Sequence, residues 1–408
     1  VLVATLMAPY LRKFGCYTVP DFIGTRYGGN LVRACSVFVL FIASFTYVTA
    51  QINATGTIAS RALGIPFEAG VWVGLISILI CSMLGGMRAV TWTQVAQYIV
   101  LIIAYLIPVF WISSNVGGGI FPHLMLGDEV ARLGELEQQF GLVKNSAADM
   151  KAAGVPGGLK YISGTHSGVP EGGMAVWKYL SLAICMMVGT ASLPHILMRY
   201  FTTPSVRAAR KSVAWSLFFI FLLYSSAPML ATLSKLALMD PNLPTGIIGK
   251  SISEVQSIEW VQRWSEVKQV FIADFNGDGI LQLNEWFMRG DVVVLATPEV
   301  AGLPFVISGL VFAGGMAAAM STADGLVLAI SNALSHDIYY KIIDPKADTA
   351  KRLLVARVLL VIIGAAGAYI ASFRLTSILG SVAWAFDFAM SGLFFPLVLG
   401  VWWKRATR

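Results

Sequence analysis

From Gly302 to Ser335 the chain carries a single formal charge, Asp324. A helix needs about 20 mostly apolar residues to cross a hydrocarbon layer about 30 Å thick, and this window exceeds that length. Comparable windows recur at about 31–60, 67–87, 90–112, 175–201, 212–236, 353–372 and 376–403. A chain that meets lipid along so much of its length satisfies its backbone inside helices. The expected class is therefore an all-α integral membrane protein, with no need for strands. A soluble enzyme would have to bury all of these windows as core helices, which 57% hydrophobic and 12% charged residues do not favour.

The net charge of +7 does not point to nucleic acid, because the basic residues form short clusters between apolar windows rather than one stripe. One set of short connections holds Arg12, Lys13, Arg26 and Arg33, then Arg88, then Arg199, Arg207, Arg210 and Lys211, then Lys341, Lys346, Lys351, Arg352 and Arg357, and finally Lys404, Arg405 and Arg408. The opposite set holds only Arg61 and Arg374. The positive-inside rule places the first set in the cytoplasm. The long segments 114–174 and 237–300 then lie outside, and the second is acidic. Cys16, Cys35, Cys81 and Cys185 sit in or beside apolar segments without metal or disulfide spacing, and read as small apolar fillers. The first apolar stretch, Val1 to Leu11, is too short to span, so a start inside a helix with upstream spans missing is expected.

An ionisable side chain inside an apolar span is costly and usually faces a cavity, a partner or an ion path. Asp324 follows Ala318-Ala319-Met320-Ser321-Thr322-Ala323. Small residues let a carbonyl and two hydroxyls converge as hard oxygen ligands for a dehydrated Na⁺. The alternative is that Ser321 and Thr322 bond back to carbonyls one turn earlier while the alanines pack helix on helix. A second signal is Gly189-Thr190-Ala191-Ser192-Leu193-Pro194, which interrupts the 175–201 window. Such a break exposes backbone groups for a solute pocket, or is a simple proline kink with His195 as an ordinary interior histidine. Asp387 is the other acid deep in an apolar window; it either neutralises a helix end or pairs with an arginine, or belongs to an ion or proton route. In the acidic external segment, Asp274, Asn276, Asp278, Ile280, Gln282 and Glu285 occupy positions 1, 3, 5, 7, 9 and 12 of an EF-hand loop, with Gly279 at the sharp turn. This reads as a Ca²⁺ site that rigidifies the segment, or as an Asp/Asn/Gly-rich turn; it lacks the usual paired loop.

Four motifs in order resemble the sodium:solute symporter family: Cys16-Tyr-Thr-Val-Pro20-Asp21-Phe22, Gly85-Gly86-Met87-Arg88-Ala89-Val90-Thr91-Trp92-Thr93-Gln94, Leu193-Pro194-His195-Ile196-Leu197-Met198-Arg199-Tyr200, and Ala318-Ala319-Met320-Ser321-Thr322. The resemblance implies a leucine-transporter-like bundle of two inverted repeats, here incomplete at both ends. Its implied layout is partial first-repeat helices in 1–113, an external loop in 114–174, second-repeat helices in 175–236, the acidic insertion in 237–300 and the remaining helices in 301–408.

By the same resemblance, sodium binds the Ala318 carbonyl, Ser321 and Thr322, and Asp324 serves a second cation or a proton. Gly189, Thr190, Ser192 and Pro194 form the solute pocket of the broken helix. The other broken helix, which completes the sodium site, is expected upstream. Trp92-Thr93-Gln94 with Gln97 resembles the acetate and short-monocarboxylate branch. The expected activity is sodium-coupled import of a small organic solute across the plasma membrane, with lipid as the surrounding partner and no covalent chemistry. Rival readings are a proton-coupled or uncoupled carrier using Asp324 and His195, an amino-acid or other solute carrier, and a membrane sensor module.

Overall fold

The computed structural model describes residues 3, 7–116, 119, 122–140, 147–156, 160–161, 173–375 and 377–407. The helices run in the order α1 (Ala8–Phe14), α2 (Val19–Tyr27), α3 (Asn30–Leu63), α4 (Phe67–Val116), α5 (Pro122–Phe140), α6 (Ala147–Ala152), α7 (Gly173–Ser192), α8 (Pro194–Thr202), α9 (Val206–Met239), α10 (Ile252–Ser257), α11 (Glu259–Glu266), α12 (Val293–Val300), α13 (Phe305–Asn332), α14 (Thr349–Ser372), α15 (Ile378–Ala389) and α16 (Phe395–Trp402). A π-helical stretch, Ala333–Ile343, prolongs α13. Among the described residues seven helices are long and apolar enough to cross a membrane, and Phe67–Met83 is a shorter apolar helix. Parts of the 114–174 segment and of the Val1–Leu11 stretch lie outside the described residues, as do the side chains of Leu84, Met87, Arg88 and Ala89.

Sequence explains where these helices start and stop. Thr18 caps α2 by accepting from the Asp21 amide at 3.0 Å, and Ser205, Ser251, Asp348 and Ser377 cap α9, α10, α14 and α15 in the same way. Each satisfies an amide that would otherwise be orphaned. Gly86 divides α4 into two arms, with φ 54° and ψ −163°, a conformation that side-chain-bearing residues resist. The single window 175–201 resolves into α7 and α8, because Leu193 is extended (φ −64°, ψ 120°) and Pro194 opens the next helix. The expected helix break is present.

Packing forms three main cores. The middle one joins α3, the first arm of α4, α13 and α14 through Ile52, Val71, Leu75, Leu326 and Ile363. An inner core gathers Leu11, Phe22, Ile23, Leu197 and Leu397 from α1, α2, α8 and α16. The third core is the largest and brings the 237–300 insertion onto the bundle, packing Trp264 and Trp286 with Leu233, Leu236, Val109, Ile112 and Val311.

The long segments between the spans add a small sheet to the helical bundle. Strands β1 (Lys160–Tyr161), β2 (Val270–Ile272) and β3 (Trp286–Met288) form an antiparallel sheet in the order β1-β3-β2, with Phe287 opposite both Tyr161 and Phe271. The argument against strands holds for lipid-facing backbone; these residues are outside the spans, where sheet edges can be solvated. The sheet ties the two long segments between spans together.

Ion pairs fasten that layer. Arg61 of α3 meets Glu299 of α12 at 2.7 Å, the Trp264 indole donates to the same carboxylate at 2.6 Å, and the guanidinium lies over the Trp264 and Phe312 rings. Arg132 of α5 pairs with buried Asp240 at the end of α9.

Two outcomes test this packing. Burial alone would raise the Asp240 pKa, but the Asn242 amide and Arg132 hold it below the ordinary carboxylate value. Because the folded value is depressed, the stabilisation is complete above the unfolded value of 3.8 and is lost as the pH falls through the folded value. Asp240→Asn should therefore loosen α5 by about 1–3 kcal/mol at neutral pH, read by hydrogen–deuterium exchange, and the difference from wild type should shrink as the pH falls through the depressed folded value. Separately, a Cβ on Gly189 would lie 2.6 Å from the Phe386 Cβ and 2.7 Å from its carbonyl oxygen. Gly189→Val should cost about 1–3 kcal/mol through overpacking and lower the melting temperature in detergent.

Candidate functional site

The small-residue stretch of α13 lines a cavity of about 460 Å³. Ala318, Ser321 and Thr322 form one wall, Gln94, Gln97 and Tyr98 from the second arm of α4 form another, and His195, Ile196 and Arg199 come from α8. The hydroxyls of Ser321 and Thr322 both donate to the Ala318 carbonyl, at 2.9 and 3.2 Å. Three neutral oxygens, all hard donors, thus sit together at a cavity wall, while the hydroxyls keep lone pairs free to face an ion. The Gln94 side-chain amide donates to the Ser321 carbonyl, fixing α4 against α13 at this height.

Asp324 lies one turn further along α13, fully buried. Ser82 of α4 donates to its Oδ1 at 3.0 Å, and its Oδ2 has no partner among the described residues. Asp324 therefore does not share the cavity of Ser321 and Thr322, although it neighbours them in sequence. His195 rests its ring edge-on to Tyr47, with its Nδ1 unpartnered among the described residues. Asp387 is exposed on α15.

The break residues behave differently from one another. Thr190 donates back to the Met186 carbonyl, and Ser192 donates to the carbonyls of Gly189 and Val188 at 2.9 and 3.2 Å. Gly189 is pressed against Phe386 of α15. Ser192 and Pro194 are buried. The 460 Å³ cavity begins one residue after Pro194, at His195, and these four residues do not line it. Sequence reasoning gave Arg199, Tyr98 and Ser82 no site role and marked Gln97 only as a sign of the family branch. Arg199 stands inside a motif that was read for its proline, and Ser82 stands one turn before Gly86; neither has a periodicity of its own to mark it.

The calcium-like loop is compact. Asp274 accepts from the Gly277 and Gly279 amides at 2.7 and 3.0 Å, Asn276 from Asp278, and Asp278 from Ile280 at 2.7 Å. Gln282 donates through its side chain to Asp278, and buried Glu285 accepts from Phe275 and Gln282 at 2.9 and 3.0 Å. The Ile280 amide, then Asn276 and Gln282, hold the Asp278 carboxyl below its ordinary range. The loop joins strands β2 and β3 rather than two helices. Its missing partner loop is replaced by residues 249–252, since Leu281 exchanges backbone hydrogen bonds with Gly249 and Lys250.

Comparisons with known proteins agree with this architecture. The profile of the sodium:solute symporter family matches residues 1–251 and 292–408, leaving the calcium-like loop and its flanks unmatched. An uncharacterized symporter from Cupriavidus necator is 39% identical over 487 aligned positions, covering 100% of this chain and 70% of that protein. A monocarboxylic acid transporter from Corynebacterium glutamicum is 25% identical, covering 98% of this chain and 64% of that protein. A substrate-bound, outward-open Na⁺-coupled sialic acid symporter superposes with a TM-score of 0.64 at 16% identity, over all of this chain and 70% of that one. This last likeness shows a shared fold. The relatives are transporters, not enzymes. The chain is thus an integral membrane protein that belongs to the sodium:solute symporter family.

Proposed function

We propose that the protein containing this chain is a sodium-coupled importer of a small organic solute at the plasma membrane, with a short monocarboxylate such as acetate as the solute. The observation that carries the reading is the convergence of the Ala318 carbonyl, Ser321 and Thr322 on a cavity that the broken helix also reaches. These oxygens suit Na⁺, which prefers hard ligands and needs no charged one. Asp324 serves a second cation or a proton. The solute reading is supported by the name of the Corynebacterium relative, by Trp92-Thr93-Gln94, and by Arg199, whose guanidinium suits a carboxylate. Gly189, Thr190, Ser192 and Pro194 act by packing the break in place, with α8 presenting the solute-facing groups.

In this mechanism binding of sodium from outside stabilises the outward-open state, and its release inside allows return. Replacing sodium by choline in a vesicle assay should abolish uptake of labelled acetate; undiminished uptake would defeat the coupling assignment. Ser321→Ala and Thr322→Ala should each raise the half-saturating sodium concentration roughly tenfold, the size of one lost ligand, with normal expression. An unaltered sodium dependence in the double variant would move the site elsewhere.

The external loop is read as a Ca²⁺ site formed by Asp274, Asn276, Asp278, the Ile280 carbonyl, Gln282 and Glu285, which stiffens the insertion. Titration of the purified full-length protein with Ca²⁺ should show a heat that Asp274→Ala removes. A flat titration of folded wild-type protein would leave the loop as an Asx-rich turn.

A further inference from the structure

Two cavities touch the same face of the bundle but different lengths of α13. The 460 Å³ cavity reaches Ala318, Ser321 and Thr322, and a second cavity of about 380 Å³ reaches Leu328, Ser331 and Asn332. Cys16 and Tyr17 of the α1–α2 turn and Arg357 of α14 also line the second cavity, which puts it on the side carrying the clustered basic residues, the cytoplasmic side. Asp324 stands between the two cavities on α13 and lines neither. Its only hydrogen-bond partner among the described residues is Ser82, and Ser82 itself lines the inner cavity.

A buried carboxylate with one oxygen bonded and one left unpaired is expensive to maintain. The unpaired Oδ2 is where a cation would be stabilised, and Asp324 falls along α13 between the residues that line the two cavities. Ser82 stands on the first arm of α4 and Asp324 on α13, two elements packed in one core, so the hydroxyl is held within reach of the carboxylate. Gly86 lies one turn beyond Ser82, lines the same inner cavity and breaks the helix that carries it, which gives that arm a local point of adjustment.

We infer that Ser82 and Asp324 form the inner gate of the cation path. Sodium leaves the Ser321 and Thr322 cavity by passing to the free Oδ2 of Asp324, and the Ser82 hydroxyl competes for that carboxylate, releasing the ion into the inner cavity. This rests on the sodium reading above. Ser82 is a positioning residue in this scheme, because it acts on the ion through Asp324.

The test uses the full-length transporter in proteoliposomes with acetate as solute. Net sodium-driven uptake into sodium-free vesicles includes ion release inside, whereas solute exchange with saturating sodium on both sides bypasses it. Ser82→Ala should slow net uptake roughly tenfold, the size of one hydrogen bond to a charged group, while exchange stays within about twofold of wild type. Ser82→Thr keeps the hydroxyl and should restore net uptake. An equal fall in both modes, or no fall in either, overturns the gate.

A second readout needs no solute. In a variant with Cys16, Cys35, Cys81 and Cys185 replaced by serine, Asn332→Cys is labelled by an impermeant thiol reagent from the inner side. Sodium should protect it, and after dilution of sodium the protection should persist roughly ten times longer when Ser82→Ala is added. Equal decay sinks the proposal even if acetate is not carried. Wild-type uptake and labelling that ignore sodium altogether sink the underlying sodium reading as well; intact sodium dependence with equal decay sinks only the gate.

Discussion

Backbone that meets lipid has nowhere to place an unpaired amide or carbonyl, so each interruption of a spanning helix must be compensated by protein. Two interruptions organise this molecule. At Leu193 the chain leaves helical geometry for a single residue, and the loosened turn is held by the Ser192 hydroxyl on one side and by Pro194, which lacks an amide to satisfy, on the other. At Gly86 a positive φ turns the chain between two arms of α4. The cavity that collects Ser321, Thr322, His195 and Arg199 lies beside the first interruption, and the cavity that collects Ser82 and Asn332 lies beside the second. Polar groups gather where the helices give way, and the continuous helices between them supply rigid walls.

Much of the architecture was legible in the chain because lipid imposes a coarse rule on it. Window length alone placed α3, α9, α13 and α14 within a few residues, and the break at Pro194 was visible because proline and small residues have few other uses inside an apolar run. The partnership of Ser82 with Asp324 was not legible. The two residues are 242 positions apart, and nothing in the pattern around Cys81-Ser82-Met83 separates a hydroxyl that meets a carboxylate from one that bonds its own helix, as Ser77 does with Val73. The same ambiguity governs Ser321 and Thr322, which do bond back to Ala318 and yet stand at a cavity wall. Sequence offered these as alternatives; the geometry shows that they are compatible.

The inserted layer was the least readable part. Its acidic composition and loop motif announced an insertion, but not that Trp264 and Trp286 would become the heart of the largest apolar core or that residues 160–161 and 286–288 would pair across more than a hundred positions. Those contacts depend on distances through space that neither periodicity nor motif spacing encodes. Removing residues 252–291 to match the family profile would uncover the ends of α9 and α12 that they now cover.

Arg61 grips Glu299 and, through it, the Trp264 indole, so α3, α12 and α13 are riveted to the inserted layer. Any displacement of α3 relative to α12 must then either carry that appendage along or shear a guanidinium from its carboxylate beneath two aromatic rings. In water the appendage is felt as viscous drag at the rim, not as momentum.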